Sequence, residues 1–358
     1  MRKLAWLTMT VLAACSSGTG GTGTSPAPSS AQGAPRVWPV LTRHHVDLWL
    51  HGYAMLLRDT STVPIFRRGY REQLQAARTQ RGVSSMLDAN RERLQSRFAT
   101  SPALFNGQFL PLYFANWDQM RQMIALFVQA QGNPQAAGDQ ATAQYFAVLR
   151  QSFGTQADRE WLRLFTDALE DERRQFYQVY WGQENGSRLP LVRAADSLWT
   201  TAYRAKFQGF LNNTRQEGGE MILALTIGGE GRTVNFGSRQ NAVAVTMPEQ
   251  DAREAFYVFA HEITGSIVAT AVTDNLTPTE QRAGAANRLV PIGQVRGGAM
   301  LLQRVAPELV AGYTRYYLMQ GGFPTTGDIN ARLVSSYPLP DLIREAIDRQ
   351  LSVVLGGI

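Results

Sequence analysis

A mainly helical chain with one small β-sheet, an α+β fold, is what this sequence of 358 residues predicts. Three observations predict it. Apolar and aromatic residues recur at intervals of three, four and seven over most of the chain. Runs rich in β-branched residues cluster between Glu220 and Met247, separated by glycines. Directly after them comes Ala252 to Thr273, an apolar helical run that carries an ionisable pair, His261-Glu262, in its middle.

The chain starts with a basic Met1-Arg2-Lys3, an apolar Leu4 to Ala14 and then Leu12-Ala13-Ala14-Cys15. The apolar run is too short for a permanent membrane span. Together these residues resemble a bacterial lipobox, which implies cleavage of a signal peptide (1–14) before Cys15 and acylation of that cysteine. Cys15 is the only cysteine, so no disulfide can form within the chain, and a lone exported thiol suits a lipidation site. More than one acyl chain on a residue anchors stably. The resemblance thus implies an exported protein held on a membrane, the outer membrane favoured because Ser16 and not aspartate follows the cysteine.

Residues 15–36 are mostly Gly, Ser, Thr, Ala and Pro, too poor in apolar bulk to offset ordering entropy, and they read as a tether. A helical region, 37–219, follows. Its expected helices are Val40 to Arg58, Arg67 to Gln80, Ser84 to Phe98, Pro111 to Gln131, Ala136 to Phe153, Gln156 to Gly182 and Leu191 to Asn213. Trp117, Phe127, Trp161, Phe165, Phe176, Tyr180, Trp199, Tyr203 and Phe207 read as their core stripe. The last region, 220–358, holds three strands (Glu220 to Ile227, Arg232 to Phe236, Ala242 to Met247), the His261 helix, and helices over Pro278 to Gly293, Gly298 to Leu318, Asp328 to Ser335 and Pro340 to Leu355.

The formal charge of +6 comes almost wholly from arginine, Lys3 and Lys206 being the only lysines. Arginines and carboxylates alternate, as in Arg91-Glu92-Arg93 and Glu170-Asp171-Glu172-Arg173-Arg174, and read as solvated faces with short-range pairs. No basic cluster marks a nucleic-acid groove. The expected partners are the membrane, through the anchor, and an envelope protein or peptide.

Two groups of residues carry potential chemistry. Within Arg43 to His51, the residues His44, Asp47 and His51 fall at i, i+3 and i+7 of a helix and so share a face, with His45 beside them. They read either as a polar helix edge bonded to carbonyls or as a metal or substrate cluster. In the second group, His261-Glu262-Ile263-Thr264 resembles the first four positions of H-E-x-x-H, the motif of zinc metallopeptidases. Strands followed by a His-Glu helix resemble the gluzincins. That resemblance implies zinc as cofactor, His261 as ligand, Glu262 as catalytic base, and a third ligand from a glutamate on a later helix, Glu308 or Glu280. Gly265 stands where the second histidine of the motif belongs, and a catalytic zinc needs about three protein ligands. A glycine within a helix also suggests close approach by another backbone. The expectation is therefore a degenerate metallopeptidase-like fold used for binding or scaffolding. The alternative is a zinc-dependent hydrolase that draws ligands from far along the chain.

Overall fold

The computed structural model describes residues 38–57, 60, 65–235 and 240–356. The lipobox, Cys15 and the tether lie outside them, as do Arg58 and Phe236, the expected ends of the first helix and of the second strand. The fold is mainly helical with one four-stranded mixed sheet.

The helices are α1 (His44–Leu56), α2 (Tyr70–Gln80), α3 (Met86–Ala89), α4 (Arg91–Thr100), α5 (Trp117–Gln129), α6 (Gln140–Ser152), α7 (Gln156–Glu172), α8 (Gln178–Ser187), α9 (Leu189–Leu198) and α10 (Arg204–Asn213), then, beyond the sheet, α11 (Glu254–Ile263), α12 (Gly265–Asp274), α13 (Pro278–Arg282), α14 (Ala285–Val305), α15 (Val310–Gln320), α16 (Ile329–Ser336) and α17 (Asp341–Val354). Their starts follow local chemistry. Asn116, Asp139 and Thr155 accept backbone N–H bonds at the first turns of α5, α6 and α7, satisfying donors that have no partner within the helix. Thr277 with Glu280 forms a reciprocal capping box on α13.

The sheet has strand order β1-β2-β4-β3, where β1 is Val40–Thr42, β2 Gly219–Ala224, β3 Arg232–Asn235 and β4 Asn241–Thr246. The first three in that order run parallel, and β3 pairs antiparallel with β4. All six residues of β4 are buried, as expected of a strand covered on both faces. Val40 to Thr42 is a strand where the sequence reads as the start of a helix. Its pairing with Met221 to Leu223 outweighs its local pattern. The sheet therefore takes its first strand from within 37–219.

Several helices also differ from expectation. The stretch after Gln156 runs from α7 into α8 through a π-helical turn, Arg173–Tyr177, and α9 joins α10 through another, Trp199–Tyr203. Pro102–Tyr113 is 3₁₀-helical, so the helix expected from Pro111 begins at Trp117. The expected break between Gly293 and Gly298 is absent, since α14 continues through both. Those glycines are packing surfaces. A Cβ at Gly293 or Gly297 would meet Val268 of α12 at 2.6 and 2.8 Å, and one at Gly298 would overlap the Tyr313 hydroxyl.

The His261 helix sits at the centre. Every residue from Ala255 to Ile263 is buried, and α11 packs on β4 and α14. Phe259 meets Trp38, Trp199 and Phe207 with ring centroids 5.0–5.9 Å apart. The expected aromatic stripe of the first half is buried throughout. Among the described residues no single helix is long and apolar enough to cross a membrane. α11 and α12 together pass by length and composition only and are bent by 40°.

Candidate functional site

The polar groups of interest meet at one loop, Leu225 to Gly231, which joins β2 to β3. Its backbone is bonded along its length. Thr226 donates its N–H and hydroxyl to Asp47 Oδ1 (3.3 and 3.4 Å), and its carbonyl accepts from Arg67 N–H at 2.9 Å. Thr246 donates to the Ile227 carbonyl, and Gly228 N–H donates to Ile65. Tyr316 and Tyr317 of α15 donate their hydroxyls to the carbonyls of Gly228 (3.1 Å) and Gly229 (2.9 Å). Gly231 N–H donates to Glu262 Oε1 at 3.0 Å. Buried backbone polar groups need such partners. The last bond requires glycine, because a Cβ on Gly231 would overlap the Ala244 carbonyl and crowd Glu262 Cγ at 3.1 Å.

His261 and Glu262 form a buried pair, with His261 Nδ1 2.9 Å from Glu262 Oε1. A carboxylate only accepts, so Nδ1 carries a proton, which in a neutral imidazole leaves the lone pair on Nε2. Nε2 is buried and makes no hydrogen bond among the described residues. The imidazole stacks on Tyr317 at 5.2 Å and 15°. Burial pushes the carboxyl of Glu230, on the loop itself, above the usual glutamate range, and the Glu262 carboxylate adds to the rise.

A zinc ion does not fit the residues present. A lone pair on Nε2 with Nδ1–H held by a carboxylate is the posture of a metal-bound histidine, and there the agreement ends. Glu262 faces His261 and Gly231. The helix bends at Thr264, whose hydroxyl donates to His261 O (2.9 Å) and Ala260 O (3.3 Å). At Gly265 the near neighbour is the side chain of Gln294, whose amide nitrogen would lie 3.0 Å from a Cβ. The expected close approach of another backbone is not found there. Glu308 does not serve His261: it is exposed in a 3₁₀ turn, Pro307–Leu309, and paired with Lys206. Glu280 is exposed and occupied in the α13 capping box. Among the described residues no three His, Cys, Asp or Glu side chains are grouped to hold a metal.

The α1 group divides. His44, Asp47 and His51 face the π-turn and α8, as their shared helix face requires. His44 stands edge-on to Trp181 at 5.1 Å and His51 stacks on Tyr177 at 4.4 Å. Asp47 Oδ2 accepts from Trp181 Nε1–H at 2.8 Å. His45 turns away and shares its Nε2–H between the carbonyls of Phe114 (3.0 Å) and Pro111 (3.2 Å). Burial, with Arg173 beside His44 and Arg43 beside His45, lowers both imidazoles to about 4. Burial raises Asp47 to about 6.

Glu172 departs from the expected solvated face. It is fully buried and accepts from His51 (3.1 Å), Ser85 (2.5 Å) and Arg78. Despite its burial, these donors hold its carboxyl down to about 2. One signal was present: Phe165, Leu169, Glu172 and Phe176 lie four, three and four apart, on the apolar stripe. No such signal marked Asp47 as the anchor of Thr226, since the two are distant in sequence. Neither the protein-family models, the curated proteins nor the solved structures compared with this chain give a match.

Proposed function

We propose that this protein is a lipid-anchored envelope protein that binds or scaffolds a partner, and that its His-Glu helix is the structural centre of the fold and not a catalytic one. One observation carries the second half. Glu262, the residue that would activate water in a metallopeptidase, has its Oε1 bonded to Gly231 N–H and His261 Nδ1–H inside the core. A general base must reach the proton it removes. The anchor rests on the basic start, short apolar run and Leu-Ala-Ala-Cys of the sequence.

Zinc content of the purified protein, with and without His261→Ala, separates this reading from the hydrolase. The unpartnered Nε2 of His261 favours the hydrolase. Stoichiometric zinc that disappears with His261→Ala, together with hydrolysis abolished by Glu262→Gln, would establish the enzyme. We expect neither. For the anchor, Cys15→Ser should abolish processing and acylation. A processed Cys15→Ser protein that still fractionates with membranes would remove the lipobox from the account.

A further inference from the structure

The turn between α15 and α16 carries exposed apolar residues flanked by arginines that have no carboxylate partner among the described residues. Met319 at the end of α15 is 57% exposed, Phe323 at the tip is 38% exposed, and Val334 on α16 is 49% exposed. Phe323 stands edge-on at 5.7 Å to Tyr337, the residue that follows α16, and Val334 lies three residues before it near the end of that helix. The segment Gly321-Gly322-Phe323-Pro324-Thr325-Thr326-Gly327 is exposed throughout, and the phenyl ring lies over Gly321 and against Tyr337 with its outer side open to solvent.

Three arginines surround it. Arg68 donates to the Gln320 carbonyl at 2.6 Å and its guanidinium lies by Gly322. Arg332 lies over Gly327, with its buried Nε unpaired. Arg315, one turn before Met319, is exposed on the same face of α15. The nearest acid in sequence, Asp328, is engaged in capping α16. The local charge is positive. Exposed apolar side chains beside guanidinium groups complement an anionic bilayer: phenyl edge and thioether enter the acyl boundary while the arginines meet phosphates.

We propose that this turn is a membrane-contact surface for anionic lipid, set so that an anchored molecule rests on its bilayer by the α15–α16 end. The proposal rests on the lipid-anchor reading for the chain's delivery to the surface, but the contact itself is made by residues independent of Cys15.

The test is photo-crosslinking of the purified mature protein in vesicles that carry a diazirine on the lipid acyl chain, with phosphatidylcholine alone or mixed with phosphatidylglycerol. The mass of the N-terminal peptide reports acylation separately, so failure of the anchor and failure of the contact are distinguishable. Crosslinks should map to Met319, Phe323 and Val334 in the anionic vesicles. Phe323→Ser should reduce them about tenfold, the equivalent of losing one buried aromatic. Arg332→Gln, or omission of phosphatidylglycerol, should reduce them several-fold. Val179→Ser, which removes an exposed apolar residue on α8, should change nothing. Crosslinks spread over the surface or centred elsewhere would overturn the proposal. So would indifference to Phe323→Ser, or concentration-dependent dimerisation that this substitution abolishes.

Discussion

Glu262 shows how one carboxylate can resemble a catalytic residue and serve the fold. Truncation in Glu262→Ala would leave the Gly231 N–H and the His261 Nδ1–H unpaired in the core. Each orphaned donor costs about 1–3 kcal/mol, so urea unfolding should show a loss of several kcal/mol. A loss below about 1 kcal/mol would mean that the loop is held without this bond. The buried titratable groups make opposite contributions with pH. His44 and His45 are held neutral in the fold, with values lowered to about 4. The unfolded chain takes up protons at these sites below about 6.5, so their contribution is present at neutral pH and is lost as pH falls from about 6.5 to 4. Asp47, raised to about 6, binds its proton more readily when folded and adds stability as pH falls from about 6 towards 3.8. Glu172, held near 2, stabilises above about 4.5 and loses this as pH falls below that value. Stability should therefore fall gently from pH 6.5 to 4.5 and steeply below. In Asp47→Asn the opposing term is gone, and the decline from pH 6.5 to 4.5 should steepen; an unchanged slope would show that Asp47 does not titrate there.

At the scale of elements, glycine misled where packing overrode its local meaning. Gly293 read as a helix end and Gly298 as a helix start, yet α14 runs through both, because α12 and Tyr313 occupy the space that side chains there would take. Gly298→Ala should displace Tyr313 and weaken its bond to the Val295 carbonyl, 2.8 Å in the native fold. Overpacking of this kind typically costs 1–3 kcal/mol, and thermal unfolding should register it. An unchanged midpoint would mean that Tyr313 shifts freely. α1 was misplaced for a related reason. Nothing local separates Val40-Leu41-Thr42 from the helix after it, and the strand exists because β2 offers a parallel edge.

For the whole molecule, the division at 219/220 describes composition but not a boundary between sheets. β1, from the first region, pairs with β2 at the start of the second, and buried residues of both regions belong to one core cluster. Shared cores unfold together. Calorimetry should show one cooperative transition for the part from Trp38 onwards. Two separable transitions would show that the helical half is stable without the sheet.

The sequence by itself determined the α+β class, three of the four strands, most helices, the aromatic core stripe and the burial of the His261 helix. Each is written in local periodicity, in β-branched runs or in caps, which act over a few residues and are legible one turn at a time. Only the tertiary structure decided that Val40 to Thr42 is a strand, that Asp47 and Glu262 hold the same loop from opposite ends, and that Glu308 pairs with Lys206 away from His261. It also showed that Glu172 lies inside the core. These facts depend on contacts between residues far apart in the chain. A carboxylate's local neighbours do not reveal which distant N–H or guanidinium will neutralise it, and burial makes that partner decisive.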